Sequence, residues 1–217
     1  MTAYFISGLG ADSSVFAKLK LPPGINIKHI AWIEPVKNES LEDYCRRLSS
    51  QMTDPDDFIF VGLSFGGIVA IELNRFMPAK KIILISSITT KEELPLRYKI
   101  INWLKLIRIV PVSVLKFPVK LVYWFFNAGT KKENEMLRQY IKNISGNYLK
   151  WSLNAVLSWK NKERPSTVFH IHGTADRIFP CDKTHADVKI KHGGHLMVYN
   201  RGKEISEVVA ENLNRDW

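Results

Sequence analysis

Phe58-Ile59-Phe60-Val61-Gly62-Leu63-Ser64-Phe65-Gly66-Gly67-Ile68-Val69-Ala70 decides how this chain is read. Four apolar residues, too few for a helix, run into glycine, serine and paired glycine. A helix-compatible run from Ile68 to Met77 follows, closed by Pro78. The order is strand, sharp turn, helix. The frame Gly62-x-Ser64-x-Gly66 is the nucleophile-elbow pattern, in which a strained turn lifts the serine hydroxyl clear of the sheet edge. Glycine is needed two residues to either side because a Cβ there would collide across so tight a bend. Glycine and serine also build ordinary turns, so the pattern gains force from its place between strand and helix. A hydroxyl is a poor nucleophile at its own pKa, so the elbow predicts a histidine and a carboxylate further along.

Working outward, Ala3-Tyr4-Phe5-Ile6 reads as a buried strand and Ser7 to Ser14 as the loop after it. A short helix is expected near Ser14 to Leu19 and a second strand over Ile27 to Ile33. Ser40 caps a helix running to about Met52, with Asp43 in its first turn. Asp54-Pro55-Asp56-Asp57 reads as a turn, and Lys81 to Ser86 as a strand beyond the elbow helix. Strands and helices in alternation, with continuously apolar strands, signal a parallel sheet covered on both faces.

The rhythm stops near Lys91 and resumes at Thr167-Val168-Phe169-His170-Ile171-His172. Between them, helices are expected over Arg97–Ile109, Leu115–Phe126 (interrupted by Pro118), Glu133–Ile144 and Tyr148–Trp159. The expected organisation is therefore a core of residues 1–90 and 165–217 with a helical cap, 91–164, inserted between two strands. A short strand at Ala186 to Lys191 and a closing helix at Glu204 to Leu213 complete the core.

At 217 residues, 46% hydrophobic and 24% charged, the chain has the composition of a soluble globular protein. No basic region precedes a long apolar stretch at the N-terminus, and two cysteines, Cys45 and Cys181, are too few for a disulfide framework. The expectation is a reducing cytoplasm. Residues 91–164 carry 15 Lys and Arg against 5 Asp and Glu, so the whole net charge of +10 sits in this segment. Lysines, Arg108, Pro111 and Pro118 leave no uninterrupted run of about 20 apolar residues in 100–126, which argues against a membrane span.

The elbow chemistry calls for a carboxylate on the loop after a later strand and a histidine beyond it. Asp176 comes four residues after the strand ending at His172, and His195 follows the next strand. Both sit at C-terminal strand ends, where open parallel sheets hold their ligands. Gly62-Leu63-Ser64-Phe65-Gly66, His172-Gly173-Thr174-Ala175-Asp176-Arg177-Ile178-Phe179-Pro180 and Gly193-Gly194-His195 together resemble the elbow, acid loop and histidine loop of the α/β-hydrolase family, in the family's order. The resemblance spans the first strand to the last helix. It implies a three-layer α/β-hydrolase fold, a mostly parallel sheet of about six strands with an inserted helical cap. It also implies Ser64 as nucleophile, Asp176 as orienting acid and His195 as general base. The oxyanion hole would be built by the backbone N–H groups of Phe65 and Leu9, although Ser7 stands where the family's His-Gly-x loop has histidine. The competing titratable residues are His170 and His172, read as core histidines on the strand, His192 beside the histidine loop, His29 and His185 at the surface, and Asp12 and Asp182 outside the matched acid position.

The activity implied is hydrolysis of a carboxylic ester or thioester through an acyl-enzyme, with no metal or organic cofactor. Trp103, Trp124, Phe125, Phe126 and Trp151 suggest an apolar acyl pocket under the cap, with the cap's own core as the alternative. The basic cap suits an acidic partner such as acyl carrier protein or coenzyme A, or contact with an anionic membrane surface. A non-catalytic binding module of the same fold remains the contrasting class. No recognised nucleic-acid motif accompanies the charge.

Overall fold

The computed structural model describes residues 1–54, 56–116 and 119–215; the side chains of Arg108, Val119 and Arg215 lie outside that description. The expected breaks at Pro55 and Pro118 therefore fall outside the described residues.

Among the described residues six strands form one sheet in the order β2-β1-β3-β4-β5-β6, every neighbouring pair parallel. They are β1 (Thr2–Ile6), β2 (Asn26–Ile30), β3 (Phe58–Leu63), β4 (Lys81–Ile85), β5 (Val168–Gly173) and β6 (Val188–Ile190). The chain leaves the sheet after β2 through α1 (Leu41–Leu48) and returns at β3 on the other side of β1. From β3 onward each strand adds to the same edge. The first two loops on either side of this reversal emerge side by side, because Ile6 of β1 is in register with Gly62 of β3.

Alternation along the strands feeds two cores. Tyr4, Ile6, Phe60, Ile82 and Leu84 face Tyr44 and Leu48 of α1 and Ile68 and Ile71 of α2 (Phe65–Asn74). Ala3, Phe5, Val61, Ile83 and Ile85 face the other way, toward Ile205, Val209 and Leu213 of α10 (Gly202–Arg215). Those three residues fall four apart, the spacing of one helical stripe. The result is helix, sheet, helix in three layers, as a buried parallel sheet requires.

Ser40 caps α1 as expected, its Oγ accepting from Asp43 N–H at 3.1 Å. The helix stops at Leu48, earlier than expected, because Ser49 to Gln51 tighten into a 3₁₀ turn. The expected helix at Ser14–Leu19 is likewise a 3₁₀ turn, Ser13–Phe16, capped by Asp12. The elbow helix starts three residues before the expected Ile68, at Phe65, since the serine itself is its N-cap.

Between β4 and β5 the chain is helical. It forms α3 (Leu96–Trp103), α4 (Leu106–Ile109), α5 (Val112–Leu115), α6 (Val119–Phe126), α7 (Lys131–Asn143) and α8 (Gly146–Leu157). The helix expected over Arg97–Ile109 is broken at Lys105, which takes a left-handed conformation with φ 52°. A β-carbon disfavours that region, and the regular helix is interrupted there. α7 carries a capping box, Thr130 and Glu133 bonding each other's backbone N–H. After β6 a short helix, α9 (Met197–Asn200), precedes α10; the sequence reading did not anticipate it.

Candidate active site

The elbow is built at the end of β3. Ser64 has φ 52° and ψ −118°, a conformation that strains any residue with a side chain. Three bonds hold it there. Its N–H donates to Ile85 O at 3.0 Å, and its carbonyl accepts from Gly67 N–H at 2.9 Å and from Ser87 Oγ–H at 2.7 Å. The flanking glycines are sterically required. A Cβ at Gly62 would lie 2.6 Å from Gly67 Cα, and one at Gly66 would lie 2.1 Å from Ile6 O. Gly67, which the motif does not demand, is also constrained, since its Cβ would lie 2.4 Å from Ser87 Oγ.

The loops bearing Asp176 and His195 are stitched together before either side chain is considered. A Cβ on Gly173 would meet Gly193 O at 2.2 Å, so two backbones touch there. Ala175 N–H donates to Gly193 O at 2.8 Å, Thr174 N–H to Ile190 O at 3.0 Å, and His192 N–H to Thr174 Oγ1 at 2.8 Å. His195 thus reaches back to the acid loop: its Nδ1 lies 2.8 Å from Asp176 Oδ2, while its Nε2 lies 2.9 Å from Ser64 Oγ. The structure brings Ser64, Asp176 and His195 into one hydrogen-bonded line.

Asp176 is buried, and its second oxygen accepts from the N–H groups of Ile178 and Phe179 at 2.8 and 2.9 Å. Burial works to raise its pKa. The opposing pull of His195, with His172 and the Phe179 N–H, outweighs it and holds the carboxyl below the usual carboxylate range. An ionised Asp176 fixes the Nδ1–H tautomer of His195, which leaves Nε2 free to accept the serine proton. Phe126 and Phe179 pack edge-on against the imidazole at 5.1 and 5.8 Å between ring centres.

Behind the carboxylate stand two further histidines. His172 Nε2 lies 2.7 Å from Phe179 O and 3.5 Å from Asp176 Oδ2, so that nitrogen carries the proton. His172 Nδ1 must then accept, and the donor 3.1 Å away is His170 Nε2. Burial lowers the pKa of both, that of His170 to about 3, and the pair is neutral at physiological pH. This matches their reading as core histidines. The sequence reading did not see their contact with the acid; residues two apart on a strand share a face, and that was the available signal. His29, His185, His192, Asp12 and Asp182 are exposed and outside the line.

The loop after β1 lies against Ser64: a Cβ at Gly8 would be 3.6 Å from Ser64 Cβ. Among the described residues no protein acceptor meets the N–H of Leu9 or of Phe65. Ser7, standing where the family pattern has histidine, donates to Ala11 O at 2.6 Å and accepts from Trp32 Nε1–H at 2.9 Å. Trp32 also donates to Gly8 O and stacks on Phe65 at 5.4 Å. Loop 7–11 is thus tied by an indole 25 residues away, a partner that motif reading could not supply.

The five aromatic residues expected to form an acyl pocket divide. Phe126 lies against His195 and Trp151 edges Phe65 at 6.1 Å, both beside the site. Phe125 packs on Trp124. Trp103 is 79% and Trp124 54% exposed, so these two do not line an enclosed pocket. They sit on α3 and α6, whose inner sides are already packed on α8 and α7.

No protein-family model matches the chain, and no curated protein matches it. Solved structures do. A thermophilic esterase from Thermogutta terrifontis superimposes with a TM-score of 0.72 at 13% identity, covering 99% of this chain and 90% of that one. A bromoperoxidase from Bacillus anthracis gives a TM-score of 0.71 at 12% identity, with coverage of 96% and 90%. An N-acyl homoserine lactone degrading enzyme gives 0.68 at 16%, with coverage of 96% and 92%. The chain has the α/β-hydrolase fold.

Proposed function

We propose that this chain is a serine hydrolase that cleaves a carboxylic ester or thioester through an acyl-enzyme. The observation that carries this reading is the continuous contact from Ser64 Oγ through His195 to Asp176, at 2.9 and 2.8 Å. Distances of that size let a proton pass from hydroxyl to imidazole as the oxygen attacks.

In the first step Ser64 Oγ bonds to the substrate carbonyl carbon while its proton moves to His195 Nε2. Charge develops on the carbonyl oxygen, which the N–H groups of Leu9 and Phe65 are assigned to hold. Asp176 stabilises the imidazolium across the Nδ1–H bond and is not itself protonated. The Nε2 proton then passes to the departing alkoxide or thiolate. In the second step a water gives its proton to His195 and attacks the acyl carbon. Ser64 leaves with the proton returned, and the acid departs.

Segment 91–164 acts in this scheme as the cap that selects the acyl group, with Phe126 and Trp151 the aromatic residues placed to meet it. The names of two of the similar structures, an esterase and a lactone-degrading enzyme, agree with this class of reaction; that of the third, a bromoperoxidase, does not bear on it. A second reading, an acyl thioester on an acidic carrier, draws on the surplus positive charge of 91–164. Hydrolysis of carrier-bound and free esters compared across ionic strength separates the two, because only hydrolysis of the carrier-bound ester would fade with salt.

The direct experiment is hydrolysis of nitrophenyl esters of graded chain length, with Ser64→Ala as blank. Loss of turnover by about a thousandfold or more is expected on removing the nucleophile. Equal rates for the two proteins would exclude the reading.

A further inference from the structure

Residues 94–132 contain eight Lys or Arg and no Asp or Glu. The same stretch holds most of the exposed apolar surface. Among the described residues ten large hydrophobic side chains are exposed, and eight of them fall between Leu96 and Trp124. Leu96, Ile100 and Trp103 stand at i, i+4 and i+7 of α3, which makes them one outward stripe. Ile109 on α4 and Leu121 and Trp124 on α6 are exposed as well, and α3 and α6 flank one residue, Arg177, whose carbonyl accepts from Arg97 while its guanidinium donates to Trp124 O. Interleaved with them are Arg97, Lys99, Lys105, Lys116 and Lys120, and among the described residues no carboxylate pairs with any of the five.

An apolar patch mixed with unneutralised cations is unusual on a free surface. We propose that this face docks on an anionic phospholipid bilayer, its indoles and aliphatic side chains entering the interface and its lysines meeting the headgroups. Trp at the boundary and Lys around it is the composition that such a surface selects. Among the described residues no helix is long and apolar enough to cross a bilayer, so the contact is one of lying on the surface. A second copy of the chain is a poor occupant, because two faces of the same charge repel. An acidic protein would answer the lysines; a bilayer answers both the lysines and the indole and aliphatic side chains that stand among them.

The face adjoins the candidate site. Arg97 of α3 donates to Arg177 O and Ile178 O, at 2.6 and 3.2 Å, in the loop that carries Asp176. From the other side Arg177 donates to Trp124 O at 2.7 Å and lies over the Trp124 ring at 4.4 Å. Two residues further on, Phe126 touches His195. A bilayer held against α3 and α6 would therefore border the rim where Ser64 is presented. This deepens the ester-hydrolase reading, on which its consequence for substrate rests: the ester would be one presented by the membrane surface.

Flotation with vesicles tests the docking without using activity. Wild type and Ser64→Ala are expected to float alike with vesicles of equal parts phosphatidylglycerol and phosphatidylcholine. Binding should fall at least about tenfold with phosphatidylcholine alone or at high salt. Each basic residue near such a surface strengthens binding about fivefold, so Lys105→Glu with Lys120→Glu should weaken it by about thirtyfold or more. Leu96→Ser with Trp103→Ser should weaken it independently of salt, with circular dichroism showing both variants folded. Failure to float with the mixed vesicles would overturn the proposal. So would unchanged binding by both folded variants, or tight complexes with an acidic acyl carrier protein or a second copy in place of vesicle binding. Vesicle binding with no esterase activity would leave the docking standing and sink only the hydrolase reading.

Discussion

Replacing Gly66 by alanine tests the elbow where its geometry is least forgiving. The new Cβ would lie 2.1 Å from Ile6 O, 2.4 Å from Ser7 O and 2.6 Å from Ile6 C, all backbone atoms at the end of β1. No side chain can rotate away to make room. Bringing the closest contact out to even ~3.2 Å requires α2 and β1 to separate by about 1 Å. Overpacking of this kind costs about 1–3 kcal/mol. Because both obstacles belong to buried backbone, we expect the upper end, about 3 kcal/mol, read as a shift of the urea midpoint at unchanged slope. The same separation moves Ser64 and the Phe65 N–H relative to loop 7–9, and a displacement of about 1 Å at a reacting centre costs about a hundredfold in rate. Gly129→Ala is the internal control, since a Cβ there has nothing within 4 Å and should change stability by less than about 0.5 kcal/mol. If Gly66→Ala unfolded like Gly129→Ala and kept its ester hydrolysis, the packed-elbow reasoning would be wrong.

Asp176→Asn should lower kcat by about a thousandfold to ten-thousandfold with a small change in KM, because the neutral amide cannot balance the imidazolium; a loss confined to KM would deny the acid its role. The buried histidines set a pH dependence of stability. Their folded pKa values lie below the unfolded value of about 6.5, so only the unfolded chain takes up those protons as the pH drops. Stability should therefore be full above about pH 6.5 and fall toward pH 3 through His170, by up to about 1.4 kcal/mol per pH unit, with His172 acting in the same direction. His170→Gln should flatten that slope in urea titrations, and an unaltered slope would contradict the account. Trp159 Nε1–H donates to the buried Glu72 Oε1 at 2.7 Å, so Trp159→Phe should cost about 2 kcal/mol of unfolding free energy. Ser7→Ala removes both the donor to Ala11 O and the acceptor for Trp32, and about 1–2 kcal/mol together with about a tenfold drop in kcat is expected.

The parts of the chain that short-range chemistry specifies were legible. Apolar strands bounded by glycine and the tight frame around Ser64 follow from local constraint, the parallel three-layer arrangement follows from strands apolar on both faces, and the order of Asp176 and His195 is what the family resemblance implies. What escaped was set by contacts between distant residues. Trp32 reaches Ser7 across 25 positions, and Gly173, at the start of the loop that carries Asp176, packs on the backbone of Gly193. The helices between β4 and β5 were visible as helices, but which aromatic residues turn inward depends on how α3 and α6 pack on α8 and α7. Trp103 is as hydrophobic as Trp151; one is exposed and the other donates to Glu39 O at 2.9 Å. The break at Lys105 had no glycine or proline to announce it.

The claim that Ser64 is an activated nucleophile is tested most directly by fluorophosphonate labelling followed by peptide mapping. In the wild-type protein the label should sit on Ser64, and His195→Ala should slow its attachment by about a thousandfold or more as the base is lost. A label found on another serine, or on Ser64 at the same speed without the imidazole, would contradict the account.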